Sequence, residues 1–455
     1  MGFFKSQRLW PRPKRTLALG NDIRDVLPGL LKSSIGFAVK NCDIQQPSYE
    51  AAPVMVENKH VADASSQAKM VAPHSRGTDV RDTAAPEGSP MKATPADSIL
   101  VIATRRIGDV LLTTPLLRSL RRGYPHARID ALIHESTAGI LRGNPDIDHV
   151  IAVPEQPTLA QYRTLAGTIL RRYDIAVSTQ TGDRPIAYAL LSGRVRIGPV
   201  LSAGSRGAWK RHLLTASTPF DDLNTHTVVQ NLRLADLLGI ARTYTVVAPT
   251  VSDPAALDRT VPFAWRDERF AVLHPAPMFH YKRWHADGWR ELVGHLIATG
   301  LRVVITGGPG PAELAYIART LGDRRCGAID LAGRLSLAEL AALLCNASLY
   351  VGPDTAITHL AAATGTPTVA LYGPTNPVKW GPWPAGYEAD RSPFRRLDPR
   401  QEVNNVALLQ GLGDCVPCHQ EGCDRHLESR ARCLDEMPAS RVIAASDWML
   451  ERHAR

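Results

Sequence analysis

Short apolar runs alternate with amphipathic stretches along the chain from residue 98 onward. Ser98–Ala103 is a run of the buried-strand type, and residues 110–122 carry apolar side chains at helical spacing. Further strands are predicted at Arg128–His134, Ile147–Val153, Asp174–Ser178, Phe270–Leu273, Leu301–Thr306, Ile329–Leu331, Ser348–Val351 and Thr368–Leu371. Helices are predicted at 226–238, 286–299, 336–345 and 439–453, and one starts near Pro311. Strands that alternate with helices are typical of parallel sheets covered on both faces, so the predicted fold class is α/β, doubly wound.

The pattern divides the structured part of the chain in two. A Pro-bearing stretch, 248–262, interrupts the alternation and is interpreted as a linker. We predict one domain over 98–255, a second over 262–400, and a Cys-rich appendage with a final helix over 401–455. That helix, 439–453, is expected to fold back across to the first domain.

Residues 1–97 form an N-terminal extension of different composition. One amphipathic helix is predicted at 25–39, and the rest is rich in Ala, Pro, Ser, Asp and Lys without periodicity. Such a composition cannot bury enough apolar surface to order itself, so the extension is predicted to be largely disordered.

Charge and composition narrow the class of partner. The 455 residues carry a net charge of +9 with a pI near 9.3, which indicates an anionic partner such as nucleic acid, acidic lipid or a phosphorylated sugar. Aromatic residues make up only 6% and do not interleave with basic ones, so no nucleic-acid partner is expected. No apolar run is long enough to cross a bilayer, and the start lacks a signal peptide's apolar core. We therefore predict no transmembrane segment and a cytoplasmic location.

The most informative stretch is 348–374, which is predicted to form a strand, a turn, a helix and a second strand. Asp354 or Thr355 can cap the helix, and amides at a helix start attract phosphate. His359 follows Thr355 by four residues and so shares its helix face. An ordinary α/β turn with a surface His remains the alternative interpretation.

The amino-acid sequence of this stretch is more informative than its spacing. Residues 354–374, DTAITHLAAATGTPTVALYGP, resemble the signature of glycosyltransferase family 9, the bacterial ADP-heptose:lipopolysaccharide heptosyltransferases. Residues 105–121 (RRIGDVLLTTPLLRSLR) resemble the family's N-terminal signature, and 274–292 resemble its Lys-Trp-helix segment. The resemblance implies the GT-B architecture, in which two Rossmann-like domains face a cleft, and it implies inverting sugar transfer without a metal.

Two residues carry the chemistry that the resemblance implies. Asp109 matches the proposed general base; from the residues alone, the favoured interpretation is the N-cap of a helix that begins at Val110. Lys282 would neutralise the diphosphate of departing ADP, although a solvated loop Lys is the alternative.

The resemblance also implies binding residues for the donor nucleotide-sugar. Glu313 matches a Glu that recognises the ribose, and Ala356 stands where many relatives have Gly. The donor-binding candidates are Lys282, Gly307, Gly308, Glu313, Asp354, Thr355, Ala356 and His359.

Basic residues of the first domain are candidates for binding an anionic acceptor. A solvated charged face is the alternative. The acceptor-binding candidates are Arg105, Arg106, Arg184, Arg194 and Arg196.

Four cysteines crowd near the C-terminus with the spacing C-x2-C-x4-C-x9-C. Cys415, Cys418, Cys423 and Cys433 could hold one structural metal ion, or they could be four reduced thiols. Some members of the wider family hold iron with four cysteines. No cofactor is expected to be required for catalysis.

The resemblance implies transfer of heptose from ADP-heptose to an anionic lipopolysaccharide inner-core acceptor at the cytoplasmic face of the inner membrane. Two alternatives stay open. The acceptor could be another glycan or a protein hydroxyl, or the chain could be a non-catalytic GT-B module that binds an anionic ligand. Asp109, Lys282 and Asp354 are all present, which favours a working enzyme.

Overall fold

A computed structural model describes residues 95–202, 205, 207–322 and 325–454. The predictions for the extension, including the helix at 25–39, concern residues outside the described part.

The first half of the described chain is built on a six-stranded sheet in which every neighbouring pair is parallel. The strand order is β3-β2-β1-β4-β5-β6. The strands are β1 (Ser98–Ile102), β2 (Arg128–His134), β3 (His149–Val153), β4 (Tyr173–Ser178), β5 (Gly193–Val200) and β6 (Ala216–Pro219). The order reverses beside β1, and in open α/β sheets ligands bind outside the carboxyl ends of strands at such a point.

Helices connect these strands. They are α1 (Ile107–Leu111), α2 (Thr114–Gly123), α3 (Leu159–Ile169), α4 (Asp183–Ser192) and α5 (Thr227–Asp236), with 3-10 turns at Glu135–Leu141 and Ala208–Leu213. The prediction of one helix over 110–122 is wrong, because the helix breaks and restarts at Thr114 with Pro115 in its first turn. Proline has no amide to donate and its ring clashes with the carbonyl four residues earlier, so it favours a helix start.

The second half is built on a seven-stranded sheet with the order β12-β13-β11-β10-β7-β8-β9. Its strands are β7 (Phe270–Leu273), β8 (Arg302–Ile305), β9 (Ile329–Asp330), β10 (Leu349–Pro353), β11 (Thr368–Tyr372), β12 (Arg400–Val403) and β13 (Val406–Gln410). Only β12 runs antiparallel to its neighbour. Because β13 pairs with β11, the sheet extends beyond the predicted domain end at residue 400.

The helices of the second half begin inside the predicted linker. They are α6 (Pro254–Thr260), α7 (Ala286–Ala298), α8 (Pro311–Leu321), α9 (Leu337–Asn346), α10 (Ala356–Ala363), α11 (Pro377–Trp380), α12 (Arg432–Asp435) and α13 (Ala439–Arg452), with 3-10 turns at His280–Lys282 and Arg325–Gly327. The stretch 248–262 is therefore not simply an extended linker.

The last helix, α13, packs on the second sheet rather than crossing to the first domain, so that expectation is wrong. Val442, Ala445 and Met449 belong to the apolar cluster that contains β7 and β8. The segment before the helix is fixed as well, because the ring nitrogens of Trp284 and His285 donate to the Met437 carbonyl at 2.8 and 2.9 Å. An apolar helix face buried in this way holds the helix on its own half.

Candidate active site

Asp109 lies in the first turn of α1, just after the carboxyl end of β1. The helix begins at Ile107 and its N-cap is Arg106, which makes no side-chain capping bond. The alternative interpretation, in which Asp109 is the N-cap, is therefore wrong. Its carboxylate therefore does not serve as the helix cap.

The surroundings of Asp109 favour a proton acceptor. Burial raises the pKa of its carboxyl, and the neighbouring Arg105 and Arg106 oppose that rise. Arg105 Nη1 lies 3.5 Å from Asp109 Oδ1, and the Asp109 side chain is 20% exposed. A carboxylate with a raised pKa that can still reach solvent is a stronger base than an ordinary surface Asp.

A small pocket, open to solvent, lies around Asp109. Its walls are mostly hydroxyl and amide side chains, which are the groups that hydrogen-bond a sugar. Gln180 is 7% exposed, and its Nε2 has no hydrogen-bond partner among the described residues. The lining residues are Arg105, Asp109, Thr113, Thr179, Gln180, Thr181, Phe220, Thr227, Gln230, Asn231, Lys379 and Trp380.

The second half brings Lys282 and Asp354 together. Lys282 lies in the turn after β7, and its Nζ is 2.5 Å from Asp354 Oδ2, just beyond β10. Burial alone would raise the pKa of Asp354, but the Lys282 ammonium overcomes burial and holds that pKa below its usual range. Asp354 is therefore an anion at neutral pH, paired with a cation.

Thr355 and His359 lie at the start of α10, as the sequence predicts. Thr355 is the N-cap, and its hydroxyl accepts from the Thr358 amide at 3.3 Å. Burial lowers the pKa of His359 to about 4, so its ring is neutral. The buried His359 Nδ1 has no hydrogen-bond partner among the described residues.

The turn that carries Asp109 touches the helix that carries His359. A methyl group on Gly108 would lie 3.6 Å from both the Ala356 Cα and the His359 ring. Arg106, on the same turn, stacks its guanidinium over the Phe279 ring with 4.6 Å to the centroid. The candidate base and the candidate donor site therefore lie side by side.

Glu313 and the two glycines form a separate contact in the second half. The Gly308 amide donates to Glu313 Oε1 at 2.6 Å. A Cβ on Gly307 would lie 2.4 Å from Ile317 Cδ1, so any larger residue there would displace the end of that side chain. The three residues form one compact turn beyond β8. Its role in binding ribose stays a prediction.

The acceptor-binding arginines do not gather at one place. Arg105 lines the pocket, whereas Arg184 donates to the Glu155 carbonyl at 2.7 Å. Arg194 lies 3.8 Å from Asp174 at the amino end of β5. Asp109 lies at the carboxyl ends of the strands, on the opposite side of the sheet. Arg196 pairs with Ala176 within the sheet. Arg184, Arg194 and Arg196 are not among the residues that line the pocket around Asp109.

Lys379 is the main pocket residue that the sequence analysis missed. It lies on the four-residue helix α11, is 2% exposed, and comes from the second half although the pocket is built mostly by the first. Its only signal is a Lys in an Asn-Pro-Val-Lys-Trp turn just after the family-like stretch. That signal does not distinguish a buried Lys from a solvated one.

The four C-terminal cysteines form no disulfide bond in the described part of the chain. Burial, and then the other three thiols, raise the pKa of Cys433 to about 12, so the four lie near one another as thiols. However, no group of three or more His, Cys, Asp or Glu residues in the described chain is arranged to hold a metal ion. A structural metal at the cysteines stays a prediction, and no catalytic step depends on it.

Comparison with known proteins agrees with the resemblance. The model of glycosyltransferase family 9 (heptosyltransferase) matches residues 163–406, more than half of the chain. Lipopolysaccharide heptosyltransferase 3 of Escherichia coli strain K12 is 28% identical over 357 residues, covering 76% of this chain and 96% of the relative. A second E. coli lipopolysaccharide heptosyltransferase 3 is 30% identical, covering 61% of this chain and 83% of the relative.

Two solved structures share the fold. The family 9 glycosyl transferase of Veillonella parvula aligns with a TM-score of 0.63 and 20% identity, covering 80% of this chain and all of that one. E. coli ADP-heptose lipopolysaccharide heptosyltransferase II aligns with a TM-score of 0.59 and 22% identity, covering 79% of this chain and all of that one. The predicted α/β, GT-B architecture is confirmed. Among the described helices, none has the length and apolar character needed to cross a membrane.

Proposed function

Because the chain belongs to glycosyltransferase family 9 (heptosyltransferase) and is a glycosyltransferase, we propose that it moves heptose from ADP-heptose to a lipopolysaccharide inner-core acceptor, with inversion. The observation that carries the proposal is the contact between the turn of Asp109 and the start of α10, which lie side by side through Gly108 and Ala356. A base and a donor site must be this close for transfer.

In the proposed reaction, Asp109 takes the proton from an acceptor hydroxyl. The acceptor oxygen attacks the anomeric carbon of heptose while the bond from that carbon to the phosphate oxygen breaks. ADP leaves with the bonding electrons, and the proton on Asp109 later passes to solvent. The raised pKa of Asp109 supports this role, because a base needs enough affinity for the proton it receives.

The donor would lie against the second half of the chain. Lys282 would counter the charge that develops on the leaving diphosphate, and Asp354 would orient the Lys282 ammonium or accept from sugar hydroxyls. The neutral His359 ring, with its unbonded Nδ1, could hydrogen-bond the donor without adding charge. Closure of the two halves would exclude water and limit hydrolysis of ADP-heptose.

The acceptor is the finer part of the proposal. Polar side chains around Asp109, including the unpartnered Gln180 amide, support a sugar hydroxyl there. The names of the E. coli relatives support lipopolysaccharide as the acceptor class. Such an acceptor would bring the enzyme to the cytoplasmic face of the inner membrane.

The test is ADP release by purified protein given ADP-heptose, with heptose-deficient lipopolysaccharides of graded core length. We expect release to depend on acceptor, and the shortest active acceptor identifies the step. Asp109→Asn serves as the matched inactive control, since it keeps the side-chain shape and removes the charge.

Two results would overturn the proposal. Turnover with a different glycan or a protein acceptor, but with no lipopolysaccharide, would make the acceptor assignment wrong. ADP binding without turnover on any acceptor would favour a binding module instead.

A further inference from the structure

Lys379 reaches from the second half of the chain into the pocket of Asp109. Its Nζ donates to the Asp221 carbonyl at 2.7 Å and lies 4.5 Å from the centre of the Phe220 ring, so both of its anchors belong to the first half. The side chain lines the same pocket as Asp109. A buried ammonium is costly, and it is tolerated where it serves a nearby charge or a junction.

The short helix of Lys379 is also a junction between the halves. Thr227 Oγ1 donates to the Lys379 carbonyl at 3.1 Å, and Asn376 Nδ2 donates to the Leu223 carbonyl at 2.7 Å. His226 Nε2 donates to the Gly381 carbonyl at 2.8 Å. Backbone and neutral side chains also hold the junction, so the Lys379 ammonium is one of several links between the halves.

We propose that Lys379 is a positioning residue whose ammonium keeps Asp109 negatively charged when the two halves are docked. The inference rests on the proposed role of Asp109 as the base. Because Lys379 comes from the second half, Asp109 would gain this cation only in the docked arrangement. The fraction of Asp109 that is ionised, and so ready to accept a proton, would then depend on the docked arrangement.

The charges around both groups support this coupling. Arg105 and Arg106 face Asp109 from its own turn, and Lys379 is the cation from the other half that lowers the Asp109 pKa. The two elements packed most closely on α1, which are α10 and the 3-10 turn Glu135–Leu141, bring His359, which is neutral, and the exposed Glu135. Burial lowers the pKa of Lys379 to about 8, while the nearby carboxylates of Asp222, Asp221 and Asp109 oppose that change. Lys379 is therefore charged at neutral pH and loses its charge at mildly alkaline pH.

The test is kcat/KM for acceptor-dependent ADP release from pH 5 to 9, measured as the ratio of variant to wild type. The ratio removes the titration of acceptor phosphates, which is common to both proteins. In Lys379→Met we expect the acid limb of the kcat/KM profile to shift to higher pH by about one unit, because a neighbouring charge shifts a pKa by about that much. Above the acid limbs of both proteins the two rates should converge, because Asp109 is then ionised in each. Lys379→Arg should keep the wild-type limb.

A control separates charge from docking. Asn376→Ala removes a hydrogen bond from the same helix without changing its charge, so any loss should be equal at every pH. The inference would be overturned if Lys379→Met lowered kcat/KM by the same factor at every pH. It would also be overturned if the acceptor KM rose while the acid limb of the pH profile stayed in place. If Asp109→Asn keeps full activity, Asp109 is not the base. If Asp109→Asn is inactive but the acid limb of Lys379→Met does not move, Asp109 remains the base and Lys379 does not act on its charge.

Discussion

Asp109 and Asp354 occupy matching places in the two halves, yet their surroundings act on them in opposite directions. Each follows a central parallel strand and lies at the start of a helix. At Asp109, burial raises the pKa, and this rise is larger than the opposing effect of two partly exposed arginines. At Asp354, burial is outweighed by one close ammonium, Lys282, and the pKa falls.

The difference shows how one side-chain type serves two purposes at two adjacent sites. A carboxylate that is penalised for its charge gains by taking up a proton, which is what a base does. A carboxylate in a tight ion pair resists protonation and instead fixes the position of its partner. The environment, rather than the residue type, assigns the two functions.

The largest expected effect is on the rate in Asp109→Asn. We expect transfer to fall by about 10²–10⁴-fold, the usual contribution of a general base, while ADP binds with unchanged affinity. Acceptor-dependent ADP release and calorimetric titration with ADP measure the two quantities. Asp287→Asn, in the exposed first turn of α7, is the matched control and should leave the rate unchanged. A variant that binds ADP poorly would show that Asp109 belongs to the donor site instead.

The next effect is on stability, where the two aspartates should differ in sign. Lys282→Met leaves Asp354 buried without its cation, so we expect the free energy of unfolding to fall by about 3 kcal/mol. Asp109→Asn should raise the free energy of unfolding at neutral pH, because the folded state disfavours that charge. Urea unfolding of both variants checks the signs. If both variants changed the free energy of unfolding in the same direction, the contrast between the two sites would be wrong.

Three buried neutral histidines predict acid sensitivity. Burial lowers the pKa of His226 to about 3, and of His274 and His359 to about 4. Between those values and about 6.5 the unfolded chain binds more protons, so stability is lost as pH falls through this window. We expect up to about 1.4 kcal/mol per pH unit for each histidine. Urea unfolding from pH 7 to 5 measures the slope, and His226→Gln should reduce it; an unchanged slope would contradict a neutral His226.

The smallest effects distinguish the pocket from the far edge of the first sheet. Arg194→Ala should leave the acceptor KM within about twofold, because Arg194 pairs with Asp174 away from the pocket. Arg105→Ala should raise that KM about tenfold, the size of one charge-assisted hydrogen bond. Steady-state kinetics with the shortest active acceptor provides both numbers. A larger rise in KM for Arg194→Ala than for Arg105→Ala would place the acceptor at the amino ends of the strands instead.

Most of the fold was predictable because its strands are short apolar runs. β2 matches its predicted bounds, and the α10 cap is Thr355, one of the two predicted candidates. The strands β5, β6, β12 and β13 were missed. Gly193–Val200 mixes glycine and arginine, and β12 is an antiparallel edge strand of polar residues, so neither has a buried-strand pattern. Sheet pairing, which is not visible in local sequence, makes them strands.

The candidate site was predictable only where one residue carries a local signal. Asp109, Lys282 and Asp354 stand at strand ends, where parallel sheets bind ligands. Lys379 enters its pocket from the other half of the chain, and no local pattern reports such a contact. Arg194 has the right charge at the wrong edge of the sheet, and only the register of β5 on β4 shows this.

The most direct test of the contrast is the titration of the two carboxyl groups, followed by NMR of protein labelled with carbon-13 at the aspartate carboxyls. Asp109→Asn and Asp354→Asn each remove one resonance and so assign it. We predict that the Asp109 carboxyl titrates above the usual range of aspartate, and that the Asp354 carboxyl titrates below it. A normal or lowered pKa at Asp109 would contradict its role as the base.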